Sequence, residues 1–247
     1  MAIIIPYNSL KAQDISTYQY RQVAPENVTE FIKRETTYWS NVAQRAIDKG
    51  TLTFWGLFER IGGTNTANSP NFLFINTYKD INGNLGDIWN ASAVYPKIPL
   101  NMIQTNTLSK VTSDVFMMDD GWQQSTKANP AKDFNYVVMN YHNSSNPNSF
   151  NAIEKNNWGP FIKSAMDNNQ TKQVAWGNSL VLAPTGGDMK FNCVSFDLFP
   201  DLQSALMGGF NANTKFPTAG LDSLQKISLS VPEREIYRVV KVVSKNP

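Results

Sequence analysis

The side chains with the clearest chemical potential are two glutamates, each followed four residues later by a tryptophan: Glu35 with Trp39, and Glu154 with Trp158. On a helix that spacing puts both side chains on one face, so a carboxylate stands beside an indole. If buried there, the carboxylate could act as a general base or anchor a ligand. The commoner arrangement is a half-exposed glutamate paired with a nearby base. Arg34 and Arg45 stand close by in sequence, and that pairing is the expectation. Two further tryptophans, Trp55 and Trp176, each precede a glycine in a strand-like run, with Asn178 two residues past the second. Trp39, Trp55, Glu35, Trp158, Trp176, Glu154 and Asn178 are therefore the candidate lining of a ligand pocket, and Glu59 and Arg60 are further polar candidates. Tryptophans so placed also serve core packing, because each helix must seat on its sheet, and packing is their expected main use. No residue acquires a catalytic role from the sequence alone.

Other chemistries find little support. His142, the single histidine, follows a strand-like run and precedes polar residues 143–148, which places it at an exposed strand end. Cys193, the single cysteine, sits in an apolar run and reads as a buried, inert thiol. One histidine and one cysteine cannot assemble a zinc site of three or four N/S ligands. Neither a metal nor a cofactor is expected. The glycine pairs at 62–63 and 186–187 belong to hairpins rather than to a strand-to-helix phosphate loop. Asp119-Asp120-Gly121-Trp122 reads as a turn. The formal charge is only +2 and no basic stripe occurs, which argues against nucleic-acid binding.

The elements that must position these residues occur twice. Residues displaced by 119 match from Asn27/Asn146 through Glu35/Glu154 and Trp39/Trp158 to Asp48/Asp167. After a two-residue insertion near Gln170 the displacement is 121, through Trp55/Trp176, Asp80/Asp201, Pro96/Pro217 and Leu108/Leu229. Each copy reads as a short strand (18–23; 134–141), a long helix (25–49; 147–168) and a hairpin (52–61 with 72–78; 174–183 with 190–199). A short helix, a helical excursion and a last strand (114–118; 235–243) complete it. The order β-α-β-β-α-β is the split βαβ unit. The expected fold is α+β: two tandem ferredoxin-like repeats, 17–122 and 134–247, packed sheet to sheet as an intrachain α+β barrel, with 123–133 as linker. Residues 1–16 form an arm. Residues 1–12 read either as a plain apolar arm or as the remnant of a secretory signal cut after Ala12. A chain rich in Asn, Ser and Thr with 17% charged residues favours export, to the periplasm or the medium; otherwise the protein is cytoplasmic. No apolar run is long enough to span a membrane.

The helix bearing Glu35 and Trp39, the Trp55-Gly56 strand, the hairpin and the Tyr78-Lys79-Asp80 strand end resemble the dimeric α+β barrel superfamily. The same order recurs through Glu154, Trp158, Trp176-Gly177 and Phe199-Pro200-Asp201. That superfamily includes antibiotic-biosynthesis monooxygenases, NIPSNAP-type and EthD-like proteins, and the haem-binding chlorite dismutases. The resemblance implies a barrel made within one chain, with further oligomers formed through barrel edges. It leaves two functions open. The favoured one, because the sequence shows no nucleophile–base pair, metal cluster or cofactor motif, is an exported protein that binds a small apolar or aromatic ligand or another partner without catalysis. The other is a cofactor-independent monooxygenase-like enzyme with an aromatic pocket between helices and sheet.

Overall fold

Alternation along the strands sets the architecture. In β1 (Ile15–Val23), Tyr18 and Tyr20 point to one face, while Thr17, Gln19 and Arg21 point to the other. The computed structural model describes residues 14–62, 69–83, 85–129, 133–187, 189–218 and 220–245. The run read as a signal remnant lies outside them. The other strands are β2 (Leu52–Ile61), β3 (Phe72–Tyr78), β4 (Ser109–Gln124), β5 (Tyr136–His142), β6 (Ala175–Ala183), β7 (Cys193–Phe199) and β8 (Glu233–Ser244).

All eight pair antiparallel in one closed barrel, in the order β1-β3-β2-β8-β5-β7-β6-β4. Read from β4, the first half contributes β4-β1-β3-β2 and the second β8-β5-β7-β6. The barrel expected within one chain is present, and the seams β2–β8 and β4–β6 join its two sheets edge to edge rather than face to face. The physical reason is that each open four-stranded sheet would leave two rows of unpaired backbone groups, which closure satisfies. Among these strands no open sheet edge remains.

Closure also explains why residues 119–122 are not a turn. β4 pairs with β1 up to Met118 and with β6 from Phe116 onward, bulging between Asp119 and Gly121. A strand of 16 residues is needed to serve both neighbours. β4 therefore runs on to Gln124, through residues expected to begin the linker.

The first helix layer holds α1 (Val28–Arg34), a π-helical turn (Glu35–Trp39), α2 (Ser40–Asp48), α3 (Leu85–Ile88) and α4 (Leu100–Ile103). The second holds α5 (Pro147–Ile153), a π-helical turn (Glu154–Trp158), α6 (Gly159–Asp167), α7 (Leu202–Met207) and α8 (Leu221–Ile227). The sequence predicts each long helix as unbroken. Both are widened at the same place, beginning at the glutamate. Side chains compete for backbone acceptors there: Thr36 Oγ1 donates to the Ile32 carbonyl at 2.8 Å, Ser40 Oγ to that of Thr36 at 2.7 Å, and Asn157 Nδ2 to that of Ile153 at 3.1 Å. Such π-turns re-aim side chains and recur at functional sites. Gly50, with φ of +75°, closes the first long helix in the left-handed conformation.

The barrel interior is lined by Tyr18, Phe58, Met117, Met139, Leu198 and Tyr237, among others. A separate layer seats the first helices through Phe31, Ile47, Trp55, Leu57 and Phe72. Trp55 is 2% exposed and faces Asn76 across the β2–β3 ladder; Trp176 is 1% exposed and faces Asp197 across β6–β7.

Candidate active site

On the outer face of the first half, β1, β3 and β4 meet the helix layer around a cavity of about 420 Å³. That is the size of ordinary small-molecule sites. Glu35, Trp39 and Trp55 all line it, together with Arg21, Asn76, Tyr78, Trp89 and Thr105. The π-turn aims Glu35 inward, and its side chain is buried, with the residue 3% exposed. Thr105 Oγ1 donates to Glu35 Oε1 at 2.6 Å. Burial pushes the Glu35 carboxyl up to about 7, against the opposing pull of the Thr105 bond and of the Arg21 charge. This overturns the expected pairing with Arg34 or Arg45. Arg34 Nε instead donates to Glu30 at 2.7 Å, and its Nη1 donates to the carbonyls of Asn101 and Gln104.

The remaining polar groups are held in place. Arg21 Nε donates to Gln19 Oε1 at 2.6 Å, and its guanidinium lies 4.8 Å from the centre of the Phe74 ring. Asn76 Nδ2 donates to Thr17 Oγ1 at 3.0 Å, whereas its buried Oδ1 has no partner. Burial holds the Tyr78 hydroxyl above its usual range, so it is a neutral phenol at this site. Trp39 Nε1 donates to the Ile103 carbonyl at 3.1 Å, which fixes its ring beside Trp89 at 6.5 Å. The site thus combines one buried carboxyl, one guanidinium, an unmet acceptor and flat apolar walls.

The second half places Glu154, Trp158 and Trp176 around a smaller cavity of about 210 Å³. Glu154 is buried in turn, and its carboxyl is pushed up to about 8 by desolvation. Asn178 Nδ2 stands 3.5 Å from Glu154 Oε2 and 3.2 Å from the Asn151 carbonyl, wedged beside the carboxyl rather than along the cavity. His142 is not at an exposed strand end. Its Nε2 lies 3.0 Å from Ser195 Oγ and 4.0 Å from Glu154 Oε1, and burial lowers its pKa to about 4. Desolvation likewise raises Asp197 to about 6, between the amides of Asn140 and Gln173. Glu59 and Arg60 line neither cavity: they pair with Arg238 and Glu235 across the β2–β8 seam. Cys193 is buried, and its thiol is pushed up to about 12.

Arg21, Asn76, Tyr78, Trp89 and Thr105 are the site residues that the sequence reading missed. The polar alternation Thr17, Gln19, Arg21 was a visible signal for one polar face of β1. Thr105 and Trp89 lie in irregular segments and carry no such signal.

No protein-family model and no curated protein matches the chain. Solved structures do. An anthrone oxidase-like protein is 12% identical with a TM-score of 0.55, covering 96% of this chain and 95% of its own. A provisionally named monooxygenase from Lactobacillus acidophilus NCFM is 7% identical with a TM-score of 0.57, covering 95% and 97%. Another from Fusobacterium nucleatum subsp. nucleatum is 12% identical with a TM-score of 0.56, covering 96% and 97%. The chain has the ferredoxin-like dimeric α+β barrel fold.

The expectation of no cofactor is withdrawn; the similar structures also include a chlorite dismutase from Candidatus Nitrospira defluvii, with a TM-score of 0.47 at 6% identity. The residues of this chain nonetheless do not fit a haem. His142 is engaged by Ser195 beside a cavity of about 210 Å³, below the roughly 300–1,000 Å³ of ordinary ligand sites. The larger cavity has neither histidine nor cysteine in its wall, and its Tyr78, raised by burial, is a neutral phenol rather than a phenolate ligand. Among the described residues no group of three or more His, Cys, Asp or Glu is placed to hold a metal, and no helix is long and apolar enough to cross a membrane.

Proposed function

We propose that the protein is a monooxygenase-like enzyme that oxidises a small aromatic ketone, of the anthrone type, in the cavity of its first half. The observation that carries this reading is the buried Glu35 carboxyl, raised to about 7, in an aromatic cavity of about 420 Å³ that also holds Arg21. A base with a pKa near the operating pH is the most efficient proton acceptor. Glu35 in its carboxylate form takes a proton from the ring CH2, which the neighbouring carbonyl acidifies. Arg21 supplies positive charge where the enolate oxygen develops. The electron-rich enolate then reacts with dioxygen. In the net reaction the CH2 becomes C=O, one oxygen atom enters the product, and the second leaves as water with the two hydrogens. Trp39, Trp55 and Trp89 orient the flat ring system, and Asn76 Oδ1 is available to a ring hydroxyl.

The two halves support a reading of duplication, with units 17–122 and 134–247. Ile15 pairs with Tyr78 as Tyr136 pairs with Phe199, each partner displaced by 121. On that reading Arg21 and His142 are counterparts, each beside its own glutamate. Room for a substrate favours the first half. Export rests on composition and is checked by fractionating the native host.

The test uses anthrone as probe, with dioxygen uptake and product mass followed from pH 5.5 to 9 against an enzyme-free blank. The expected result is one dioxygen consumed per dione formed, at a rate that climbs through about pH 7 and then levels. Anthrone that quenches tryptophan fluorescence yet is never turned over above the blank would leave a binding protein without catalysis.

A further inference from the structure

The same strands that wall the outer cavity enclose a second one, of about 390 Å³, inside one end of the barrel. Its wall is apolar and largely aromatic: Tyr18, Phe54, Phe58, Phe134, Phe196 and Leu198. Trp122, which is 53% exposed, stands in its wall with its ring 6.1 Å from that of Phe196. One ionisable group inside it stands out. The bulge in β4 turns the Asp119 carboxyl into the barrel end, where Ser16 Oγ donates to Oδ2 and Ser179 Oγ to Oδ1, both at 2.7 Å. Two hydroxyl donors hold a carboxylate in one orientation and leave further lone pairs on each oxygen. Among the described residues no lysine, arginine or histidine lies within ion-pair distance of Asp119. The neighbouring Asp14 adds a second negative charge, and Lys155 is taken by Asp120.

A desolvated carboxylate ordinarily has a cationic partner. Among the described residues Asp119 has no such partner, and the space beside the carboxylate is walled largely by aromatic rings. We infer that the barrel end is a binding site for a small monocationic amine on an aromatic body, with the ammonium on Asp119 and the ring among the phenylalanines. The site is separate from the Glu35 cavity: β1 presents Tyr18 to one and Thr17 to the other. A neutral isostere would leave Asp119 unpaired and a carboxylic acid would meet two like charges, so selectivity follows from charge rather than from shape.

The probes are 2-phenylethylamine, tryptamine and their neutral alcohol analogues, 2-phenylethanol and tryptophol, titrated calorimetrically into the full chain at pH 7.5. Each amine should bind at least about ten-fold more tightly than its alcohol, and Asp119→Asn should erase the difference. The amine-to-alcohol comparison on the unaltered protein needs no variant, so it stands even if D119N misfolds. Amine affinity should be unchanged in Glu35→Gln, which separates this site from the outer one. Equal binding of amine and alcohol, no binding of the amines up to millimolar concentration, or amine binding lost in E35Q would each overturn the assignment.

Discussion

Glu35→Gln should lower turnover of an anthrone-type ketone by about 10²–10⁴-fold, the range general-base catalysis contributes, while leaving its binding within a few-fold of the parent. The substitution is close to isosteric. A glutamine oxygen can still accept the 2.6 Å bond from Thr105 Oγ1, so the π-turn and the cavity wall keep their support. What is lost is the proton acceptor. Stopped-flow or oxygen-electrode rates, read beside tryptophan quenching for affinity, separate the two effects. The pH profile supplies a further check. With Glu35 at about 7 the parent rate rises through that pH, whereas the residual rate of the variant should lose that inflection. Glu154→Gln is the matched control. Its cavity is half the volume, at about 210 Å³ against about 420 Å³, and turnover should be unaltered. If E154Q rather than E35Q removed activity, the second half would hold the site.

The second large effect is on stability. Glu35 and Glu154 bind their protons more tightly in the folded chain, at about 7 and about 8, than at the ordinary 4.5. Below pH 4.5 both are protonated in either state and their cost is absent. As pH rises through 4.5 the unfolded chain ionises first, and folding stability falls until about 7 for Glu35 and about 8 for Glu154. Each unit of displacement corresponds to about 1.4 kcal/mol, so the two together cost on the order of several kcal/mol by pH 8. Asp197, raised to about 6, acts in the same direction at lower pH. His142 acts oppositely: its pKa is depressed to about 4, so its contribution is lost as pH falls from 6.5 towards 4. Denaturant unfolding at pH 5 and pH 8 should show the parent clearly weaker at pH 8. The double variant E35Q/E154Q should lose most of that difference. A parent equally stable at both values would mean that the carboxyls are not desolvated as described.

The parts that were legible in the sequence depend on local repetition. The Glu–Trp spacing, the Trp-Gly strand starts and the hairpins are each written within ten or so residues, and the strands and helices follow them. Burial of Glu35 was not legible because its environment is made at a distance, by Thr105 and by Arg21 on β1. A glutamate beside Arg34 looks paired until the fold turns that arginine towards Glu30. Asp119-Asp120-Gly121-Trp122 has turn composition, yet β6, some 60 residues further on, pulls it into a strand. That misreading hid the carboxyl of the barrel end. His142 was misread for the same reason: polar residues follow it in sequence, but α5 covers it in space, with Phe150 at 4.7 Å.

The most direct measurement is the titration of Glu35 itself, by 13C NMR of the side-chain carboxyls from pH 4 to 9, with the signal identified by its loss in E35Q. A resonance that keeps its proton to about pH 7 would establish a buried base ready to take a proton from a bound ring. A resonance that titrates near 4.5, as an ordinary exposed glutamate does, would contradict it and remove the chemical basis for oxidation at this cavity.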